Sequence, residues 1–111
     1  MSITNDITKG LLARIRSRWK HEAFAFRVNV TKAHSYVKSV PDGTPDILSV
    51  IKGFPVAIEV KGPGDTQRQS QIAWQREWIA AGGLYFICTE CTEEFLDIVA
   101  MAVEACLYDH P

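Results

Sequence analysis

The stretch "DILSVIKGFPVAIEVK", residues 46 to 61, constrains the fold more than any other part of the chain. Two runs rich in Ile and Val, "DILSVI" and "PVAIEVK", flank "KGF", a tight connection of hairpin type. Side chains two apart on a strand share a face, so Ile58 and Val60 point one way while Glu59 and Lys61 point the other. One face is core, and charge stands on the other. Asp46 opens the first run, and a short hairpin brings that end beside Glu59 and Lys61. Leaving a carboxylate unpaired near a covered sheet costs on the order of several kcal/mol. Glu59 is therefore expected to have a partner, either Lys61 or a metal ion.

The rest of the chain supplies layers for this hairpin. In "NDITKGLLARIRSRWK", residues 5 to 20, Ile7, Leu11, Leu12, Ile15 and Trp19 fall on one helical stripe, with Arg14, Arg16, Arg18 and Lys20 largely off it. "AFAFRVNV" alternates around Phe24, Phe26, Val28 and Val30 and reads as a strand, and "VPDGTP" is turn chemistry. After the hairpin, "GPGDT" breaks the sheet pattern, and Asp65 or Thr66 is placed to cap the helix "QRQSQIAWQREWIAA", which Gly82 and Gly83 stop. "LYFICT" is a fourth strand. Thr92 then caps a last helix over residues 93 to 107, striped by Phe95, Leu96, Val99, Val103 and Leu107. The order is αβββαβα in a single domain, residues 1 to 111, without repeat or linker. A helix between the third and fourth strands permits a parallel crossover, so a mixed sheet covered by helices is expected.

Charge is distributed unevenly. Residues 1 to 40 carry eight Lys and Arg against Asp6 and Glu22, whereas residues 62 to 111 carry Arg68 and Arg76 against eight acids. Such asymmetry suits a molecule that offers a basic face to a polyanion, or equally one with two solvated faces of opposite sign. No apolar run approaches the ~20 residues a membrane span needs, and "MSITNDITKG" lacks the layout of a signal peptide. The three cysteines, Cys88, Cys91 and Cys106, cannot make a complete set of intramolecular disulfides. "CTEC" has the spacing of half a zinc site or of a redox pair, but His21, His34 and His110 are scattered and the pair follows a late strand, so reduced thiols are expected.

Asp46, Glu59 and Lys61 form the chemical constellation D-x12-E-x-K on paired strands. Hard cations such as Mg²⁺ take one or two carboxylates together with waters and phosphate oxygens, and a lysine beside them can orient water or stabilise developing charge. Together with the element order, "GTPDIL", "AIEVK" and the helix carrying Gln71 resemble the PD-(D/E)XK nuclease superfamily and, within it, the VRR-NUC domain, over about residues 5 to 90. The resemblance implies a restriction-endonuclease-like α/β fold, an αβββαβ core with a mixed central sheet flanked by helices, here with an added C-terminal helix. It implies Mg²⁺- or Mn²⁺-dependent cleavage of DNA, with Asp46, Glu59 and the Val60 carbonyl as metal ligands, Lys61 as the catalytic lysine and Gln71 beside the site. Gln69 and Gln75 are rivals to Gln71. The glutamate that the family often carries on its first helix has no clear counterpart, since only Asp6 and Glu22 stand nearby.

Arg27 or Asn29, in "RVNV", would reach the phosphate backbone, with Arg16 and Lys20 as further nucleic-acid contacts. Trp74 and Trp78, four apart, are expected as core anchors rather than stacking platforms. His34 and Tyr36 lie in a polar connection and carry no assigned role. Members of this size in phages and bacteria imply branched DNA such as Holliday junctions as substrate, a homodimer, and the cytoplasm of a bacterium or phage-infected host. The competing readings are a nicking or restriction-type nuclease on duplex DNA and a non-catalytic DNA-binding or assembly module.

Overall fold

A computed structural model describes residues 2–28 and 40–109. Helix α1 spans Ile3–Trp19, capped by Ser2, whose hydroxyl accepts from the Asn5 N–H at 3.1 Å. Its predicted stripe is the buried one: Ile7, Leu11, Leu12, Ile15 and Trp19 all pack into the core. A short 3₁₀ turn, Lys20–Glu22, leads into strand β1, Ala23–Arg27. The hairpin follows as β2, Ile47–Ile51, and β3, Phe54–Val60, joined through Lys52 and Gly53 at φ 50° and 87°, the left-handed backbone that a two-residue hairpin turn requires. Helix α2, Gln69–Ala80, crosses to β4, Leu84–Cys88, and α3, Glu93–Asp109, closes the chain.

The sheet order is β1-β2-β3-β4, antiparallel at the first two junctions and parallel between β3 and β4, the mixed sheet expected of a helical crossover. The face presenting Ala25, Ile47, Ile51, Val56, Ile58, Val60 and Cys88 packs under α1 and under Leu96, Val99 and Val103 of α3. Helix α2 lies on the opposite face, where Trp74 and Trp78 stack with ring centroids 4.8 Å apart and Trp74 meets Tyr85 at 6.2 Å. The tryptophans therefore anchor a second, thinner layer outside the main core, and Trp78 Nε1 donates to the Leu84 carbonyl at 2.8 Å.

Four expectations change. In β1 the alanines face the core and Phe24 and Phe26 face out, because the register sets Ala25 against Ser49 and Phe26 against Leu48, and α1 sits close enough for Arg16 Nη2 to donate to the Ala25 carbonyl at 3.0 Å. Neither Asp65 nor Thr66 caps α2. Asp65 instead accepts from the Gly62 N–H at 3.1 Å, and Arg68 stands at the cap position. The basic first helix does not present an open cationic face either: Arg14 pairs with Glu93 at 2.6 Å and Arg18 with Asp97 at 2.8 Å, so the two oppositely charged parts of the chain meet across α1 and α3. Finally, Leu107 at the end of the α3 stripe is exposed. Val30, Asn29, His34, Tyr36 and His110 lie outside the described residues.

The turn before β2 is seated on α2. Gly43 has φ +83°, and a Cβ there would stand 2.1 Å from the Ser70 carbonyl oxygen. Gly64 has φ +78° with open space around it. Gly43→Ala is expected to cost about 2–4 kcal/mol, from left-handed strain plus the clash, against about 1 kcal/mol for Gly64→Ala. Urea unfolding of both variants measures the difference, and equal losses would contradict the seating.

Candidate active site

Continuing the β2–β3 pairing of Ile47 with Ile58 by one residue sets Asp46 opposite Glu59. The Val28 N–H donates to the Asp46 carbonyl at 2.8 Å, which extends the β1–β2 ladder to this point. Asp46 Oδ2 accepts from the Val60 N–H at 2.8 Å, pinning the carboxylate across the strand end. The Val60 side chain is buried and has no ligating atom, so its carbonyl is the only group it could offer to a ligand.

Glu59 is 4% exposed, and its Oε2 has no hydrogen-bond partner. Burial, and then the neighbouring Asp46 carboxyl, push its pKa up to about 8, with Lys61 and Arg68 pulling the other way. Lys61 does not pair with it directly. Its Nζ donates to Gln71 Oε1 at 2.8 Å, and the same oxygen accepts from the Arg68 N–H at 2.8 Å, satisfying one of the free donors at the start of α2. Gln71 is 5% exposed, a buried glutamine facing the sheet and not a surface one, whereas Gln69 is exposed and Gln75 accepts from Gln67 Nε2 at 2.9 Å.

Two polar residues join the cluster that the sequence did not single out. Tyr85 of β4 pairs with Ala57 and so shares the face of Glu59, and its hydroxyl accepts from Gln67 Nε2 at 3.2 Å. Burial and then the charge of Glu59 raise its pKa to about 12. The "LYFIC" alternation shows that Tyr85 and Ile87 share a side, but the side is set by the parallel register with β3, which no local pattern encodes.

The first turn of α1 also reaches this end of the sheet: a Cβ on Gly62 would lie 3.5 Å from Thr4 Cγ2. Arg27 Nη1 donates to Asn5 Oδ1 there, a neutral partner, and no acid among the described residues pairs with the guanidinium. Asp6 is exposed on the same turn. Glu22 stands at the other end, where its carbonyl accepts from the Lys52 N–H at 2.8 Å, and Lys20 and Arg16 lie toward that end as well, away from the carboxylates. Among the described residues no group of three or more His, Cys, Asp or Glu could hold a metal ion. The fit to a cation rests instead on the carboxyl pair. Glu59 and Asp46 push against each other, one buried oxygen lacks any donor, and a hard cation with oxygen ligands from backbone, water or phosphate would satisfy both. Cys88 is apart from this chemistry: its Sγ meets the Glu90 carbonyl at 3.0 Å and burial raises its pKa to about 11, which keeps the thiol protonated.

Comparison with solved structures finds a protein described as a VRR_NUC domain, superposing with TM-score 0.64 over 90% of this chain and 97% of that one at 14% identity. The chain has the fold of a VRR-NUC domain. No family model matches the sequence, and no similar curated protein is found. Within the VRR-NUC fold, Asp46, Glu59, Lys61 and Gln71 converge at one end of the sheet, between the first turn of α1 and the start of α2.

The acidity of Glu59 carries a stability consequence in the metal-free protein. The folded state holds the proton more tightly than the unfolded chain, whose carboxyl titrates near 4.5. The stabilisation is therefore complete below that pH and is lost as pH rises through about 8. In EDTA the melting temperature is expected to fall between pH 5 and pH 9, and Glu59→Gln to remove that part of the slope and melt roughly 4 °C or more above the parent at pH 9. A variant with the parent's pH profile would show that Glu59 is not the titrating group.

Proposed function

We propose that the protein is a divalent-metal-dependent endodeoxyribonuclease that hydrolyses phosphodiester bonds. The observation that carries this reading is the buried Glu59 oxygen without a donor, beside Asp46 and on the face of Lys61, at the end of a VRR-NUC sheet. A purely structural carboxyl pair would be expected to acquire a donor or to be replaced by apolar groups. Asp46, Glu59 and the Val60 carbonyl would hold Mg²⁺ or Mn²⁺, which when bound polarises the phosphate and acidifies a water.

The chain's own residues do the rest. Lys61, held by Gln71, keeps its ammonium beside the carboxylates, where it steadies the negative charge that grows on the phosphoryl oxygens. Asp46, tied to the Val60 N–H, keeps its carboxylate turned across the strand end. Arg27, whose partner is the neutral Asn5, and Arg68, close enough to act on Glu59, are available to flanking phosphates. Branched DNA, Holliday junctions among them, and action as a homodimer are carried by the family resemblance. Among the described residues no helix is long and apolar enough to cross a membrane.

Cleavage of four-way junction, flap and linear duplex DNA in Mg²⁺ and in EDTA tests the reading. Activity is expected in Mg²⁺ alone and to fall about 100-fold or more in Asp46→Ala, Glu59→Ala and Lys61→Ala. A protein that binds DNA but cuts none, with the three variants binding as the parent does, is instead a non-catalytic module. Binding also has an expected salt response. With Arg14 and Arg18 occupied by acids, contact through Lys61, Arg27 and Arg68 alone makes the logarithm of affinity fall with the logarithm of salt at a slope of about −3. A slope twice as steep would place the contact on α1.

A further inference from the structure

The face that carries Asp46 and Glu59 continues past them. Along β2 it runs through Leu48 and Val50, and the register sets Phe26 beside Leu48 and Phe24 beside Val50. Helix α2 covers the β4 side of this face through Trp74 and Tyr85, while on the β1–β2 side Phe24 is 70% exposed, Val50 46% and Phe26 44%. The two phenyl rings lie 6.0 Å apart, tilted by 50°. Burial alone would put phenylalanines inside and alanines outside, yet β1 does the reverse. A lone exposed apolar side chain needs no explanation, but these are contiguous and lead up to the carboxylates.

We propose that Phe26 and Phe24 stack on unpaired bases beside the phosphodiester held at Asp46, Glu59 and Lys61, so that among branched DNAs those with at least two unpaired nucleotides next to the cut are favoured over fully paired junctions and duplex. This rests on the nuclease reading above. Phe26 stands one two-residue step along the sheet and one strand across from Asp46, roughly 8 Å away, and Phe24 one step further. A strand anchored by its phosphate at the carboxylates therefore passes the rings in succession. Bases in an intact duplex already stack on one another and offer no free face, whereas unpaired bases do, whatever their identity. A second copy of the chain could bury the same rings, but it would also cover Leu48 and obstruct the approach to Asp46.

The test is binding, with Ca²⁺ in place of Mg²⁺, to a duplex bearing a two-nucleotide flap labelled with 2-aminopurine and to the matched duplex. The parent should prefer the flap and quench the label. Phe24→Ala with Phe26→Ala should lower flap affinity roughly ten-fold or more, leave duplex affinity within about two-fold, and abolish quenching. Phe26→Trp should retain the preference and Phe26→Leu should not. Equal losses on both DNAs, or full flap binding by Phe26→Leu, would overturn the proposal. So would a parent dimer that dissociates on substitution by sedimentation, which assigns the face to a second copy. Phenylalanine-dependent binding by a parent that cuts no DNA in Mg²⁺ refutes the nuclease reading and leaves the stacking intact. Cleavage of every DNA at rates the alanine substitutions leave unchanged refutes the stacking alone, and binding to neither DNA refutes both.

Discussion

Two carboxyl groups side by side, one of them almost wholly removed from water, set the terms for everything around them. Asp46 and Glu59 are brought together by the hairpin pairing and not by attraction, since burial and then the Asp46 carboxyl make Glu59 harder to ionise. The cost of holding them there is offset in part by Lys61 and Arg68, and further by a shared proton or a bound cation. The Val60 N–H fixes one carboxylate, the Gly43 turn against Ser70 holds the start of β2 to α2, and Lys61 stands close without neutralising either acid.

Much of the fold was legible because it follows local periodicity. The α1 stripe, the Lys52–Gly53 hairpin, the Gly82–Gly83 stop and the Thr92 cap, whose hydroxyl accepts from the Phe95 N–H at 3.1 Å, each depend on residues within a few positions of one another. Less legible was whatever depends on a choice between two faces. The alternation of β1 is equally clear with either side inward, and apolar size favours the wrong answer. The deciding facts are the register with β2 and the closeness of α1, which leave room for alanine. Tyr85 and Gln67 escaped notice for the same reason. In the site, the residue types and spacing of Asp46, Glu59 and Lys61 were readable. The burial of Gln71 and the absence of a direct Lys61–Glu59 bond were not, because they depend on where α2 begins.

The charge asymmetry is a case where a sound sequence observation had two physical outcomes. A basic first helix and an acidic last helix can face different partners or each other, and packing on the same side of the sheet brings them face to face. Arg14, Arg18, Glu93 and Asp97 are at least partly exposed, so each pair contributes little to stability, about 1 kcal/mol or less. Their larger effect is to cancel the field that the first helix would otherwise project. Lys61 and Arg68 are the cations that act on Glu59.

The oxygen of Gln71 serves two donors at once, one from a side chain and one from the main chain. Helix and lysine are thereby geared together: whatever unwinds the opening turn of α2 also slackens the ammonium, and whatever draws the ammonium aside tugs on the helix. A mobile element working against this helix, whether a bound strand or a neighbouring molecule, would be transmitted to the reacting end of the sheet through a single amide.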